Sequence, residues 1–199
     1  MKKIVLMLTL LLNVAATYGQ TAKSILDKCA ATISSKDGVT ASFKMESAQY
    51  GSASGTIAVK EKKFKATTEA AAMWFDGKTL WTYVSKNDEV NVTTPTEAQL
   101  QALNPYNFIN LYKEGFKYTM SQSGNSYIVH LTATDETRRI QELFITVDKK
   151  TYVPSEVKML QKQKWTTFVV SDLKKQKLND SLFKFNASDY PSAEVIDLR

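Results

Sequence analysis

Between Met73 and Tyr83 the chain is apolar in both phases of a two-residue period. Met73, Phe75 and Leu80 fall on one alternating face, and Trp74, Trp81 and Tyr83 on the other. A period of two marks strands with distinguishable faces. A sheet that is apolar on both faces must cover both, or keep one for a hydrophobic guest. The surrounding run from Gly55 to Pro95 continues the alternation: Ile57 and Val59, Phe64 and Ala66, Met73 and Phe75, Val90 and Val92. Asp76-Gly77 and Asn87-Asp88 are turn dipeptides between these strands, so the run reads as an antiparallel meander.

The rest of the chain extends this pattern. Residues 22–35 have the spacing of an amphipathic helix, and Val39, Ala41, Phe43 and Met45 open the sheet. Thr96-Glu97-Ala98-Gln99 has the form of a capping box and starts a short helix through Leu100 and Leu103. Asn104-Pro105 supplies an N-cap and first-turn proline for another helix. Its apolar face is Phe108, Ile109, Leu111 and Tyr112, and Gly115 ends it. Strands are expected at 116–121, 126–133, 139–147, 154–161 and 164–172, with a final extended stretch after Leu182. The sum is a mainly β (α+β) chain of about ten hairpin-connected strands with helices before and within the sheet.

The N-terminus has the layout of a secretory signal peptide. Lys2 and Lys3 precede an apolar run from Ile4 to Leu12, followed by small residues at Ala15, Ala16 and Gly19. Cleavage after Gly19 would leave residues 20–199 as a single domain, with Ala16 as an alternative site. No other apolar run approaches the roughly 20 residues of a membrane-spanning helix. Cys29 is the single cysteine, so no intrachain disulfide forms and an exported chain must rely on its core. Within its helical pattern Cys29 reads as a small buried hydrophobe. The net charge of +6 is spread over scattered lysines, with local clusters at 60–65 and 174–177. No basic stripe interleaved with aromatics points to nucleic acid. The lysine runs suit solvated strand edges, and an anionic membrane surface or acidic partner is compatible with them.

Chemistry-bearing motifs are missing. One His and one Cys, far apart, make no metal-ligand cluster, and no nucleophile elbow or phosphate-binding glycine loop occurs. His130 lies between Val129 and Leu131, on the strand face of Ile128 and Thr132, and reads as a satisfied strand residue. Binding, without a cofactor or metal, is the expectation rather than catalysis.

At this point the residues resemble a known family. Phe75-Asp76-Gly77-Lys78-Thr79-Leu80-Trp81-Thr82-Tyr83 is similar to the Asp-Gly-Lys-x-Leu-Trp-x-Tyr signature of the periplasmic outer-membrane lipoprotein carriers, the LolA type. Upstream, Gly55-Thr56-Ile57-Ala58-Val59-Lys60 resembles the preceding strand of that family, and Asn104-Pro105 opens the equivalent mid-chain helix. Leu182-Phe183-Lys184-Phe185, Tyr190-Pro191 and Val195-Ile196-Asp197 resemble its close.

The resemblance implies an open, incomplete antiparallel β-barrel whose concave side is covered by helices and holds acyl chains. It implies a monomeric periplasmic carrier in a Gram-negative bacterium. Such a carrier receives acylated lipoproteins from an inner-membrane ATP-driven (ABC) release complex and delivers them to an outer-membrane acceptor. The lipid-binding residues expected on this basis are Ile57, Val59, Phe64, Met73, Phe75, Leu80, Val90, Val92, Phe108, Ile109, Leu111, Tyr112, Met120 and Met159. Where relatives place an arginine that ties the lid shut, this chain has Glu61-Lys62, so Glu61, Lys62 and Lys63 become the candidate latch. Other readings are a lipid-binding sensor of the same fold, a carrier of free lipids and a lipid-modifying enzyme, the last without the residues it needs.

Overall fold

A computed structural model describes residues 21–49, 51–96, 99–100 and 111–199. Helix α1 (Ala22–Ile33) precedes strands β1 (Val39–Ser47), β2 (Gly51–Lys60), β3 (Lys63–Thr68), β4 (Ala71–Phe75), β5 (Leu80–Val84) and β6 (Glu89–Thr93). Strands β7 (Phe116–Ser123), β8 (Ser126–Ala133), β9 (Ile140–Asp148), β10 (Pro154–Gln161) and β11 (Lys164–Lys175) follow. Two 3-10 turns, Asp180–Phe183 and Ala187–Asp189, lead to β12 (Glu194–Asp197). The expected signal peptide (residues 1–19) and residues 101–110 of the two expected mid-chain helices lie outside the described residues.

The twelve strands join in one sheet, ordered β12-β6-β5-β4-β3-β2-β1-β11-β10-β9-β8-β7. Every pair is antiparallel except β12 with β6. The end strands β12 and β7 do not pair, so the sheet is an open barrel rather than a closed one. The expectation of an open, mainly β barrel with a covering helix holds.

Local chemistry explains the hairpins. At the β4–β5 turn one oxygen of Asp76 accepts from the backbone N–H of Lys78 at 2.9 Å and of Thr79 at 2.8 Å. Gly77 supplies the positive φ of 102° that this turn needs. Asp148 builds the β9–β10 turn in the same way, accepting from Lys150 at 3.0 Å and Thr151 at 2.7 Å. The capping box is formed: Thr96 Oγ1 accepts from the N–H of Gln99, and the Gln99 side chain accepts from the N–H of Thr96 at 2.8 Å.

Curvature has identifiable sources. The β1–β11 register shifts between Thr40 and Ser42, opposite Asp172, whose φ is 54°. A bulge of this kind bends a strand and increases its twist. At Gly55 the β3 backbone comes so near that a Cβ would fall 1.9 Å from the Thr67 carbonyl oxygen. Only glycine permits that approach.

Helix α1 starts at Thr21, whose Oγ1 accepts from the Ser24 N–H at 3.1 Å. Ile25, Leu26, Cys29 and Ile33 form its buried stripe, and all four join the main core. Burial pushes the Cys29 thiol up to about 12, which leaves it protonated and inert.

Gly55→Ala should destabilise the fold by about 3 kcal/mol through overpacking against rigid backbone. Ser54→Ala, at an exposed neighbouring position, should change it by less than about 0.5 kcal/mol. Urea unfolding of the two variants checks this; equal midpoints would remove Gly55 from the account of curvature.

Candidate functional site

Directly paired residues share a face of the sheet, so the register divides the side chains into two sets. On the concave side Ile57 pairs with Ala66 and Ala66 with Met73. Val59 pairs with Phe64, Phe64 with Phe75, and Phe75 with Leu80. The same face runs through the other half of the sheet. There Val129, Ile145 and Val157 lie in one row, and Leu131, Leu143 and Met159 in the next. Met120 stands opposite Val129. The concave face is therefore a largely apolar phase from β7 to β5, broken by Thr166 opposite Met159 and Thr82 opposite Met73.

Two clusters fill it. The larger combines the α1 stripe with β1, β2 and β7–β10, and Val59, Met73, Met120 and Met159 pack against it. The smaller is Phe64, Phe75 and Leu80, with Val59, Met73 and Leu100 around it. The Phe64 and Phe75 rings are 5.6 Å apart. Both clusters are shut off from water: Phe64 is 1% exposed, Phe75 4% and Leu80 5%.

Leu111 and Tyr112, expected on a covering helix, are buried in the larger cluster. Phe108 and Ile109 lie outside the described residues. Tyr112 Oη donates to Asp27 Oδ1 on α1 at 2.6 Å, and Tyr118 Oη donates to the Tyr112 carbonyl. The Tyr112 bond, then the Lys23 ammonium, hold the Asp27 carboxyl below its ordinary value, while burial raises the Tyr112 phenol.

Two expectations need correction. Alternation along the sequence puts Val90 and Val92 on the concave face, but the register opposes Val92 to Trp81, and Trp81 to Trp74. They belong to the outer face with Tyr83, which pairs with Val90. The β5–β6 turn reverses which phase of the sequence points inward, so counting apolar positions across it gives the wrong side. The latch assignment also changes. Glu61 and Lys62 are exposed on the β2–β3 turn. Lys63 pairs with Lys60 on the outer face, and both bind Asp180, at 2.5 and 2.8 Å. Strand alternation points these lysines away from any concave lid and toward the C-terminal segment.

That segment answers the second apolar face. Phe185 and Tyr190 each set a ring 5.5 Å from Trp74, and Tyr190 lies 4.6 Å from Tyr83. Phe183 is fully buried beside Ala58 and Leu178. The outer face of β3–β6 is thus closed by the C-terminal segment, and the concave face by α1, Leu100, Leu111 and Tyr112. Sequence reasoning missed this division, although the aromatic run Phe183, Phe185, Tyr190 was its signal.

The outer face of β8–β11 carries no reactive set among the described residues. His130 stacks on Phe144 at 4.0 Å, and its Nε2 lies 2.9 Å from a Glu142 carboxylate oxygen. Among the described residues no group of three or more His, Cys, Asp or Glu is placed to hold a metal. Open clefts flank the barrel among the described residues. One of about 550 Å³ adjoins Leu80 and Arg139; another of about 390 Å³ lies between Met45, Ala53 and Ala70.

Residues 12–163, about three-quarters of the chain, match the family described as outer membrane lipoprotein carrier protein LolA, and the chain belongs to that family. A search of the curated proteins finds no match. Among solved structures the fold is similar to that of an uncharacterized conserved protein from Thermus thermophilus. The TM-score is 0.60 at 10% identity, covering 89% of this chain and 99% of that one. A LolA superfamily protein from Nitrosomonas europaea is similar at 13% identity and TM-score 0.45, over 83% and 98% of the two chains. A putative outer membrane lipoprotein-sorting protein domain from Vibrio parahaemolyticus gives 13% and 0.47, over 82% and 97%.

Two outcomes follow from the polar ties. Tyr112→Phe should cost about 1 kcal/mol, since the bond is to a charged but exposed carboxylate. The loss should vanish in an Asp27→Ala background, which removes the acceptor, as measured by a double-mutant cycle. The Lys60 and Lys63 ammonium groups lower the Asp180 carboxyl from 3.8 to about 2. A lowered acid stabilises the fold above its unfolded value and loses that contribution as pH falls through the folded one. The stability gap between the wild type and Asp180→Asn should therefore shrink between about pH 4 and pH 2. A gap independent of pH would contradict this.

Proposed function

We propose that this protein is an extracytoplasmic carrier that shields the acyl chains of lipoproteins on its concave face and moves them from inner to outer membrane. The observation that carries the reading is the predominantly apolar phase from β7 to β5, on the face that the C-terminal segment does not cover. Membership of the LolA family supports the cargo class. The signal-peptide pattern of residues 1–19 supports export to the periplasm, with residues 20–199 acting as one carrier domain.

The energetics favour a carrier of this shape. Each buried methylene contributes about 0.8 kcal/mol, so a chain of about 16 carbons resists entry into water by roughly 12 kcal/mol. An acylated protein therefore crosses an aqueous gap only if its chains are covered. Aliphatic and aromatic walls suffice, and Met73, Met120 and Met159 adapt to chains of variable position. The guest must displace what now lies on this face. Helix α1 buries four residues there. Leu100, Leu111 and Tyr112 are described parts of the other cover, and a hydrogen bond to Asp27 ties Tyr112 to α1. Opening this surface exposes apolar side chains, a cost that burial of the guest's own methylenes offsets. Delivery requires a donor and an acceptor, which on this reading are an inner-membrane ABC release complex and an outer-membrane receptor. The protein binds and releases; it does not transform.

A photo-crosslinker at Met73, on the concave face, should capture acylated lipoproteins in the native periplasm. One at Val169, exposed on the outer face, should not. Mass spectrometry of the adducts identifies the cargo. Equal capture at the two positions, or adducts without acyl chains, would sink the proposal.

A further inference from the structure

The cleft beside Leu80 spans the seam of the open barrel. Leu80, Thr93, Thr94 and Pro95 come from one half of the sheet, and Arg139, just before β9, comes from the other. Gln99 and Arg199 complete its polar wall. The two arginines differ. Arg199 directs its Nε and one terminal nitrogen onto Asp197, at 2.9 and 2.5 Å, so that charge is already matched. Arg139 is exposed and, among the described residues, has no carboxylate partner. An unmatched guanidinium therefore stands in a cleft of about 550 Å³ with two threonines and an amide. The floor of that cleft, Leu80, belongs to the Phe64–Phe75 cluster of the concave face.

Resting on the reading that the concave face accepts an acyl chain, we propose that this cleft receives the phosphate-bearing, anionic headgroup of an acyl lipid. The chain passes Leu80 onto the concave face, and the headgroup remains at the seam. Arg139 supplies the charge, and its planar fork matches two phosphate oxygens. Thr93, Thr94 and Gln99 supply neutral hydrogen bonds, and the spare N–H groups of Arg199 reach the same space. The cleft is open, which suits a headgroup that enters and leaves with its solvent shell partly intact. The consequence is selectivity: ligands with equal chains are sorted by head charge.

The test uses the mature chain and three probes of equal chain length: lysophosphatidylglycerol, lysophosphatidylcholine and monoacylglycerol. Each competes with a fluorescent fatty-acyl reporter below its micelle concentration. Lysophosphatidylglycerol should bind about tenfold more tightly than monoacylglycerol, with the zwitterionic lipid between them. Arg139→Gln should remove most of that preference while leaving monoacylglycerol binding within about twofold. Raising the ionic strength should narrow the preference in the wild type, because the guanidinium is exposed. Equal binding of all three lipids, or a preference that survives Arg139→Gln, overturns the headgroup site and leaves the acyl reading standing. Failure of every probe to displace the reporter, or of the reporter to bind, overturns both. Loss of the anionic lipid's preference on adding inorganic phosphate at equal concentration would make this a free-phosphate site and also overturn the proposal.

Discussion

Two-faced burial of β4 and β5 is the constraint on which the structure depends. Alternation sends Phe75 and Leu80 one way and Trp74 and Trp81 the other. Neither set can be left in water without an exposed apolar patch of the kind that drives association. The chain solves the problem asymmetrically. Phe185 and Tyr190 close the outer side by edge-on ring contacts with Trp74. The ion pairs of Lys60 and Lys63 with Asp180 hold the start of that segment on the same side. Aromatic contacts give area and the ion pairs give placement, since exposed pairs contribute little stability on their own.

The concave side is treated differently. Its cover is an amphipathic helix and a buried tyrosine joined by a hydrogen bond, with no disulfide to fix it. Apolar contacts are non-directional, so an acyl chain can replace a leucine or phenylalanine side chain against the same wall at little net cost. A cover made of such contacts exchanges with a guest of the same chemistry. The outer closure, pinned by crossed rings and parallel pairing of β12 with β6, has no comparable substitute. On the proposed function one face is structural and the other exchangeable, although both are built from the same residue types.

Openness of the sheet adds the third element. Because β12 and β7 do not pair, the barrel keeps a seam where its two halves approach without strand pairing. Gly55 and the bulge opposite Asp172 curl the sheet far enough to bring Arg139 into one cleft with Thr93.

Much of this was legible in the sequence because its physical causes are local. Alternation marked the strands, and Asp76-Gly77 marked a turn whose aspartate makes the hydrogen bonds that turn chemistry requires. The Thr96–Gln99 box formed as written. The motif around Phe75–Tyr83 pointed to the right family. What the sequence did not decide was side. Period two tells which residues share a face within one strand, but a turn of unknown geometry separates each strand from the next. Alternation alone therefore sends Val90 and Val92 inward, whereas they lie outward, and Lys63 binds the C-terminal segment rather than a lid. Only the register across β5 and β6, and the return of Phe183–Tyr190 over the outer face, settled which apolar side chains face α1 and which face the C-terminal segment. The contacts that hold that return join residues as far apart as Lys60 and Asp180, 120 positions along the chain, and no local propensity encodes such a pairing.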